Sequence, residues 1–110
     1  MELNEYQRLA QRTSRKDLPR DSHVTNGVLG LAGEAGECAD LLKKHYYQDA
    51  RPIKEQMIYE LGDVMWYVAE TAAGLGVSLE EIAECNITKL RKRYPEGFDP
   101  NRSLHREGEE

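Results

Sequence analysis

Residues 30–44 read GLAGEAGECADLLKK, a stretch with the composition of a helix but not its usual glycine content. Leu, Ala, Glu and Lys dominate, yet Gly30, Gly33 and Gly36 recur every third residue, and Glu34 and Glu37 fall among small and apolar neighbours. A glycine inside a helix costs about 1 kcal/mol relative to alanine, and an unpaired acid facing a core costs more. Both features imply a compensating role for this face. With Glu34 at zero, a helical wheel puts Glu37, Leu41, Cys38 and Leu31 at about −60°, −20°, +40° and +60°. The acids border the apolar stripe.

Residues 57–70, MIYELGDVMWYVAE, repeat that layout. With Glu60 at zero, Asp63, Tyr67, Val64 and Met57 fall at about −60°, −20°, +40° and +60°. Solvated acids occupy the face opposite the stripe, the place open to Glu55, Glu70 and Glu84. Two helices that each set an i, i+3 acid pair at the margin of the core do something else. Packed antiparallel, they would bring four carboxylates into one cleft, where mutual repulsion drives some of them neutral unless a cation is present. A donor set of oxygens without His or Cys favours Mg²⁺, with Mn²⁺ as a substitute. A di-iron bundle needs an ExxH motif on two helices, and Asp63 stands where the histidine would be.

The rest of the chain fits this frame. Its 110 residues are the size of one domain, and 39% hydrophobic with 32% charged residues suits long amphipathic helices with solvated faces. A formal charge of −5 argues against a nucleic-acid-coating protein. Cys38 and Cys85 show no paired spacing and read as reduced core residues. The opening MELNEYQRLAQRT is too polar for a signal peptide, and no apolar run approaches membrane-spanning length. The expected compartment is the cytoplasm, with no membrane partner.

Periodicity predicts four helices: residues 3–13, 23–45, 53–73 and 78–93. Pro52 suits the first turn of the third, Gly74 and Gly76 its exit, and Ser78 with Glu81 forms a capping box for the fourth. The predicted fold is all-α, four-helix bundle-like and oligomeric, with a domain over 1–98 and a polar, mobile tail over 99–110. Gly27, Gly30, Gly33 and Gly36 leave a flat surface for a neighbouring helix or ligand, the last two beside the acids.

EAGE at 34–37 followed one helix later by ELGD at 60–63, in the context LGLAGEAGE, resembles the MazG-like all-α nucleoside triphosphate pyrophosphohydrolases. Dimeric dUTPases and phosphoribosyl-ATP pyrophosphohydrolases belong to the same superfamily, and the resemblance spans roughly residues 3–98. It implies that Glu34, Glu37, Glu60 and Asp63 ligate Mg²⁺. It also implies hydrolysis of a nucleoside triphosphate to monophosphate and pyrophosphate, with Glu34 or Glu37 as the base, in a role such as clearing non-standard or excess nucleotides.

On the fourth helix Asn86, Lys89 and Arg93 share a face, and the resemblance implies that this helix meets the nucleotide, the two cations clamping phosphates. Tyr67 shares the acid face and would touch sugar or phosphate. His23 reads as incidental, Lys43 and Lys44 as an ordinary helix end, and Trp66 as an interface or surface residue. The acid face, the separate apolar stripe and Trp66 together suggest a homodimer or homotetramer, as the resemblance also implies. The alternatives are a phosphoribosyl-ATP pyrophosphohydrolase-like enzyme and a non-catalytic helical dimer that binds metal or nucleotide.

Overall fold

The computed structural model describes residues 1–105. Helix α1 (Leu3–Ala10) runs into a single 3₁₀ turn at Gln11–Thr13, followed by α2 (Arg20–Tyr47), α3 (Lys54–Leu75), α4 (Leu79–Arg93) and α5 (Pro100–Leu104). No strand occurs among the described residues, so the all-α expectation holds. The chain divides into two compact units, Met1–Leu79 and Glu80–Glu110.

Local chemistry explains the helix limits. Pro19 stands at the N-cap of α2 in an extended conformation, Asp21 lies in the first turn, and Lys44 and His45 lie in the last, so both ends suit the macrodipole. This start lies upstream of the predicted His23 because Arg20–Ser22 complete a turn that Pro19 opens, Ser22 N–H donating to Pro19 O at 3.0 Å. Pro52 lies outside α3, which begins at Lys54. At the other end Gly76 adopts φ 76°. Val77 N–H donates to Ala72 O (2.9 Å) and Gly76 N–H to Ala73 O (3.0 Å), the paired bonds of a Schellman motif. Gly74, predicted to belong to this exit, is instead buried within the helix.

The first unit is an antiparallel α2–α3 hairpin crossed by α1. Glycines set its register: a Cβ on Gly27 would lie 2.8 Å from Thr71 N, one on Gly30 2.1 Å from the Tyr67 ring, and one on Gly74 2.9 Å from Val24 N. At Gly27 and Gly74 the two backbones approach too closely for a side chain, and at Gly30 the Tyr67 ring fills the space. Helix α1 is fastened to α3 by the Trp66 indole, whose Nε1–H points at Ala10 O (3.1 Å) and Thr13 Oγ1 (2.8 Å). Gln7 donates to Val77 O (3.1 Å) and accepts from Leu79 N–H (2.9 Å). Trp66 thus serves α1 within one protomer, which corrects its reading as an interface or surface residue.

The core is small. Ala10, Ala69, Ala72 and Leu79 are its buried hydrophobic residues, with Tyr6, Trp66, Val68 and Val77 packed against them. Meanwhile Val28, Ala32, Ala35, Ala39, Leu42 and Tyr46 are all exposed on α2, spaced alternately by four and three residues. Ile58, Leu61 and Met65 are exposed on α3 in the same rhythm.

In the second unit, Asp99 caps α5 by accepting from Asn101 N–H at 2.9 Å, with Pro100 in the first helical position. The segment read as an unstructured tail therefore contains a short helix; its last residues, 106–110, lie outside the described ones. Cys38 is half-buried and Cys85 exposed, both unbridged, so the core reading does not hold for Cys85.

Candidate functional site

The hairpin register decides which acids meet. Position 24 faces 74, 27 faces 71 and 30 faces 67, so continuing along the hairpin sets 34 against 63 and 37 against 60. Carboxylate oxygens of Glu34, Glu60 and Asp63 do lie within 4.8 Å of one another. Glu37 stands outside that triad, one turn along α2. It lines a cleft of about 280 Å³ with Asp40, Gln56, Tyr59 and Glu60, with Lys44 at its edge. The expected convergence of four carboxylates thus resolves into three in contact and a fourth beside Glu60, because three residues of α2 move Glu37 a full turn along the hairpin.

No lysine, arginine or histidine pairs with the triad among the described residues. Partial burial, a hydrogen bond with Glu60 and the charges of Asp63, Glu60 and Glu37 push the Glu34 pKa up. Burial and the Asp63 charge raise the pKa of Tyr6 on α1. Three oxygen donors that repel one another and lack a basic partner are the donor set a hard divalent cation satisfies. The residues present fit such an ion.

The other sequence-selected residues are distributed unevenly. Tyr67 follows Asp63 by one turn, but its ring is seated on Gly30 and stands edge-on to Trp66 at 5.0 Å between centroids. Asn86, Lys89 and Arg93 lie along α4 in the second unit, Asn86 exposed and the two cations half-buried. Gly33 and Gly36 have nothing within 4 Å of an added Cβ, so the α2–α3 contact does not require them to be glycine. Lys44, read as an ordinary helix end, pairs with Asp40 at 2.9 Å, and the Asp40 hydrogen bond and charge raise its pKa.

A family model, the MazG nucleotide pyrophosphohydrolase domain, matches residues 22–98. The chain belongs to the MazG family. Among its relatives, the Gene 37 protein of Mycobacterium phage L5 is 41% identical over 80 residues, spanning 69% of this chain and 68% of that protein. The uncharacterized protein YvdC of Bacillus subtilis (strain 168) is 34% identical over 73 residues, spanning 58% of this chain and 69% of its own. No solved structure matches the chain significantly. The matched MazG segment holds all four acids and the three α4 residues, whereas α1 precedes it.

Sequence reasoning missed a second polar centre, built around Glu70. Read as a solvated acid, Glu70 is 2% exposed. Ser14 Oγ (2.7 Å) and Gln11 Nε2 (3.0 Å) donate to its Oε1, Asn26 Nδ2 (3.4 Å) donates to Oε2, and His23 Nδ1 lies 3.0 Å from Oε2. His23, read as incidental, is thus one of its partners. Burial pushes the Glu70 carboxyl up, but the bonds from Ser14, His23, Gln11 and Asn26 outweigh it and hold the pKa below the usual value.

Proposed function

We propose that this MazG-family protein is a Mg²⁺-dependent nucleoside triphosphate pyrophosphohydrolase that releases pyrophosphate and leaves a nucleoside monophosphate. The reading is carried by the triad of Glu34, Glu60 and Asp63, whose oxygens gather within 4.8 Å with no basic partner among the described residues. These three, with Glu37 beside Glu60, would hold the ion. Bound there, Mg²⁺ supplies positive charge to the substrate phosphates and makes water more acidic.

The protein's own groups complete the reaction. Glu37, exposed and outside the triad, suits the base that takes a proton from the attacking water; Glu34 is the other candidate, less suited because it is engaged with Glu60. Water adds to a phosphorus of the α–β anhydride and pyrophosphate departs with the electron pair of the broken P–O bond. Lys89 and Arg93 would clamp phosphates and Asn86 and Tyr67 meet the rest of the nucleotide. No part of this reading requires a nucleic-acid polymer or a membrane, and no helix among the described residues is long and apolar enough to cross one.

The active form in this proposal is a homodimer or homotetramer. Four buried hydrophobic side chains, three of them alanine, are a slender core. The exposed seam from Val28 to Tyr46 has the spacing and small residues by which helices of two copies pack closely. Light scattering tests this directly: a monomer at micromolar concentration would refute it.

The activity test is pyrophosphate release from a panel of ribo- and deoxynucleoside triphosphates, non-standard bases and phosphoribosyl-ATP included, with and without Mg²⁺. Glu60→Gln and Asp63→Asn should each abolish release in proteins that remain folded. Turnover that survives both would overturn the reading, and wild-type inactivity across the panel would favour a binding protein.

A further inference from the structure

The Glu70 centre is fully satisfied in a way that excludes some roles. Ser14 has one hydroxyl proton, which goes to Glu70 Oε1 at 2.7 Å. His23 Nδ1 lies 3.2 Å from Ser14 Oγ and 3.0 Å from Glu70 Oε2, and a carboxylate only accepts. Nδ1 must therefore carry a proton and donate in both contacts. Glu70 then accepts four hydrogen bonds, two on each oxygen, which leaves it no vacant position for a metal ion. It is not a further ligand, and Ser14 is not a nucleophile poised on a basic nitrogen.

What the centre does is join three segments. Gln11 opens the 3₁₀ turn and Ser14 follows it, His23 and Asn26 lie in the first turns of α2, and Glu70 lies on α3. Around it the α2 and α3 backbones approach closely, at Gly27 against Thr71 and Gly74 against Val24. Two turns back along the same face of α3 stands Asp63, in the stretch where a Cβ on Gly33, Gly36 or Gly62 would meet nothing within 4 Å. The triad, whose oxygens lie within 4.8 Å of one another across the same two helices, therefore depends on the register and spacing of α2 against α3.

We propose that Glu70, with His23, Asn26, Gln11 and Ser14, is a positioning centre for the metal site: it locks the register and spacing of α2 against α3 and so sets how tightly Glu34, Glu60 and Asp63 bind a divalent cation. This rests on the metal site proposed above, though not on the reaction. It also gives α1 and its 3₁₀ turn, which precede the matched MazG segment, a role in the site without touching the ion.

The test is Mn²⁺ binding to the full chain without nucleotide, read from the electron paramagnetic resonance of free Mn²⁺ under conditions where circular dichroism shows each variant folded. Outer partners that orient metal ligands change affinity by about tenfold or more, the loss expected for Glu70→Gln. Ser14→Ala removes one donor and keeps the charge, so it serves if Glu70→Gln does not fold, with a smaller loss expected. Leu79→Ala, which loosens the apolar core but removes none of the hydrogen bonds to Glu70, should bind Mn²⁺ as the wild type does. Unchanged affinity in Glu70→Gln, or in Ser14→Ala where that variant must stand in, would overturn the proposal, and so would an equal loss in Leu79→Ala. A wild type that binds no Mn²⁺ removes the metal site and this role together; one that binds it yet hydrolyses no nucleotide refutes only the reaction. The ¹⁵N shifts of His23 give an independent reading, since an unprotonated Nδ1 would contradict the hydrogen-bond scheme.

Discussion

Asp63 and Glu70 stand two turns apart on one face of α3, and their surroundings are opposites. Asp63 is exposed beside two further carboxylates and, among the described residues, has no basic partner. Glu70 is buried and receives donors from two other segments, the 3₁₀ turn with Ser14 and the start of α2. One helix thus holds an acid in an electrostatically unfavourable cluster and another in a favourable one. Unfavourable clusters persist where binding or catalysis repays them, whereas satisfied buried charges hold architecture.

The sharpest way to break this contrast is to neutralise each acid. Asp63→Asn should lower Mg²⁺-dependent pyrophosphate release by about 100-fold or more, the scale on which losing transition-state charge stabilisation is felt. In the metal-free protein it should leave the urea midpoint unchanged or raise it, because it removes repulsion. A clear fall in that midpoint would mean that Asp63 is structural. Glu70→Ala should act the other way on stability, costing about 3 kcal/mol in urea unfolding, since it strands four donors in a closed site. A cost within the surface range of about 0.5 kcal/mol would show that the centre is open to water.

These two acids also divide what the sequence reveals from what it hides. The triad is legible because its geometry is local: a helical wheel and an antiparallel hairpin set Glu34, Glu60 and Asp63 together, and EAGE with ELGD supports the family. Glu37 was harder to place, since the wheel gives direction around α2 but not the full turn by which it passes the triad. Glu70 was misread because its donors Gln11 and Ser14 lie 59 and 56 residues away. No periodicity within α3 announces that α1 will close over it. Trp66 was misread for the same reason, as its partners at Ala10 and Thr13 are 56 and 53 residues distant. The one available signal was a polar cluster of Gln, Ser, His and Asn near two helix ends, which becomes informative only once the hairpin register is known.

Changes of pH sharpen the comparison further, because the two sites carry opposite signs. The folded pKa of Glu70 lies below its ordinary 4.5, so its stabilising contribution is present above that value and lost as pH falls through the folded pKa. The folded pKa of Glu34 lies above 4.5, so folding favours its neutral form, and that contribution is present below 4.5 and lost as pH rises through the folded value. In metal-free protein, Glu34→Gln should flatten the decline in urea midpoint on the neutral side, and Glu70→Gln the decline on the acid side. Exchanged effects would reverse the assignment of the two acids.

The smallest expected effect separates the glycines at the α2–α3 contact from those that face open space. Gly27→Ala would set a methyl group 2.8 Å from Thr71 N, and backbone cannot yield as a flexible side chain can, so a loss of about 1–3 kcal/mol is expected. Gly33→Ala meets nothing within 4 Å and should gain up to about 1 kcal/mol from helix propensity alone. If Gly33→Ala instead destabilises the protein, the face that is open in one chain is covered in solution. The exposed Val28–Tyr46 seam on the same helix makes a second copy the first candidate for that cover. Repeating the measurement across protein concentrations decides between the two accounts: a penalty that a second copy imposes shifts the urea midpoint as the protein is diluted, whereas one arising within a single chain does not.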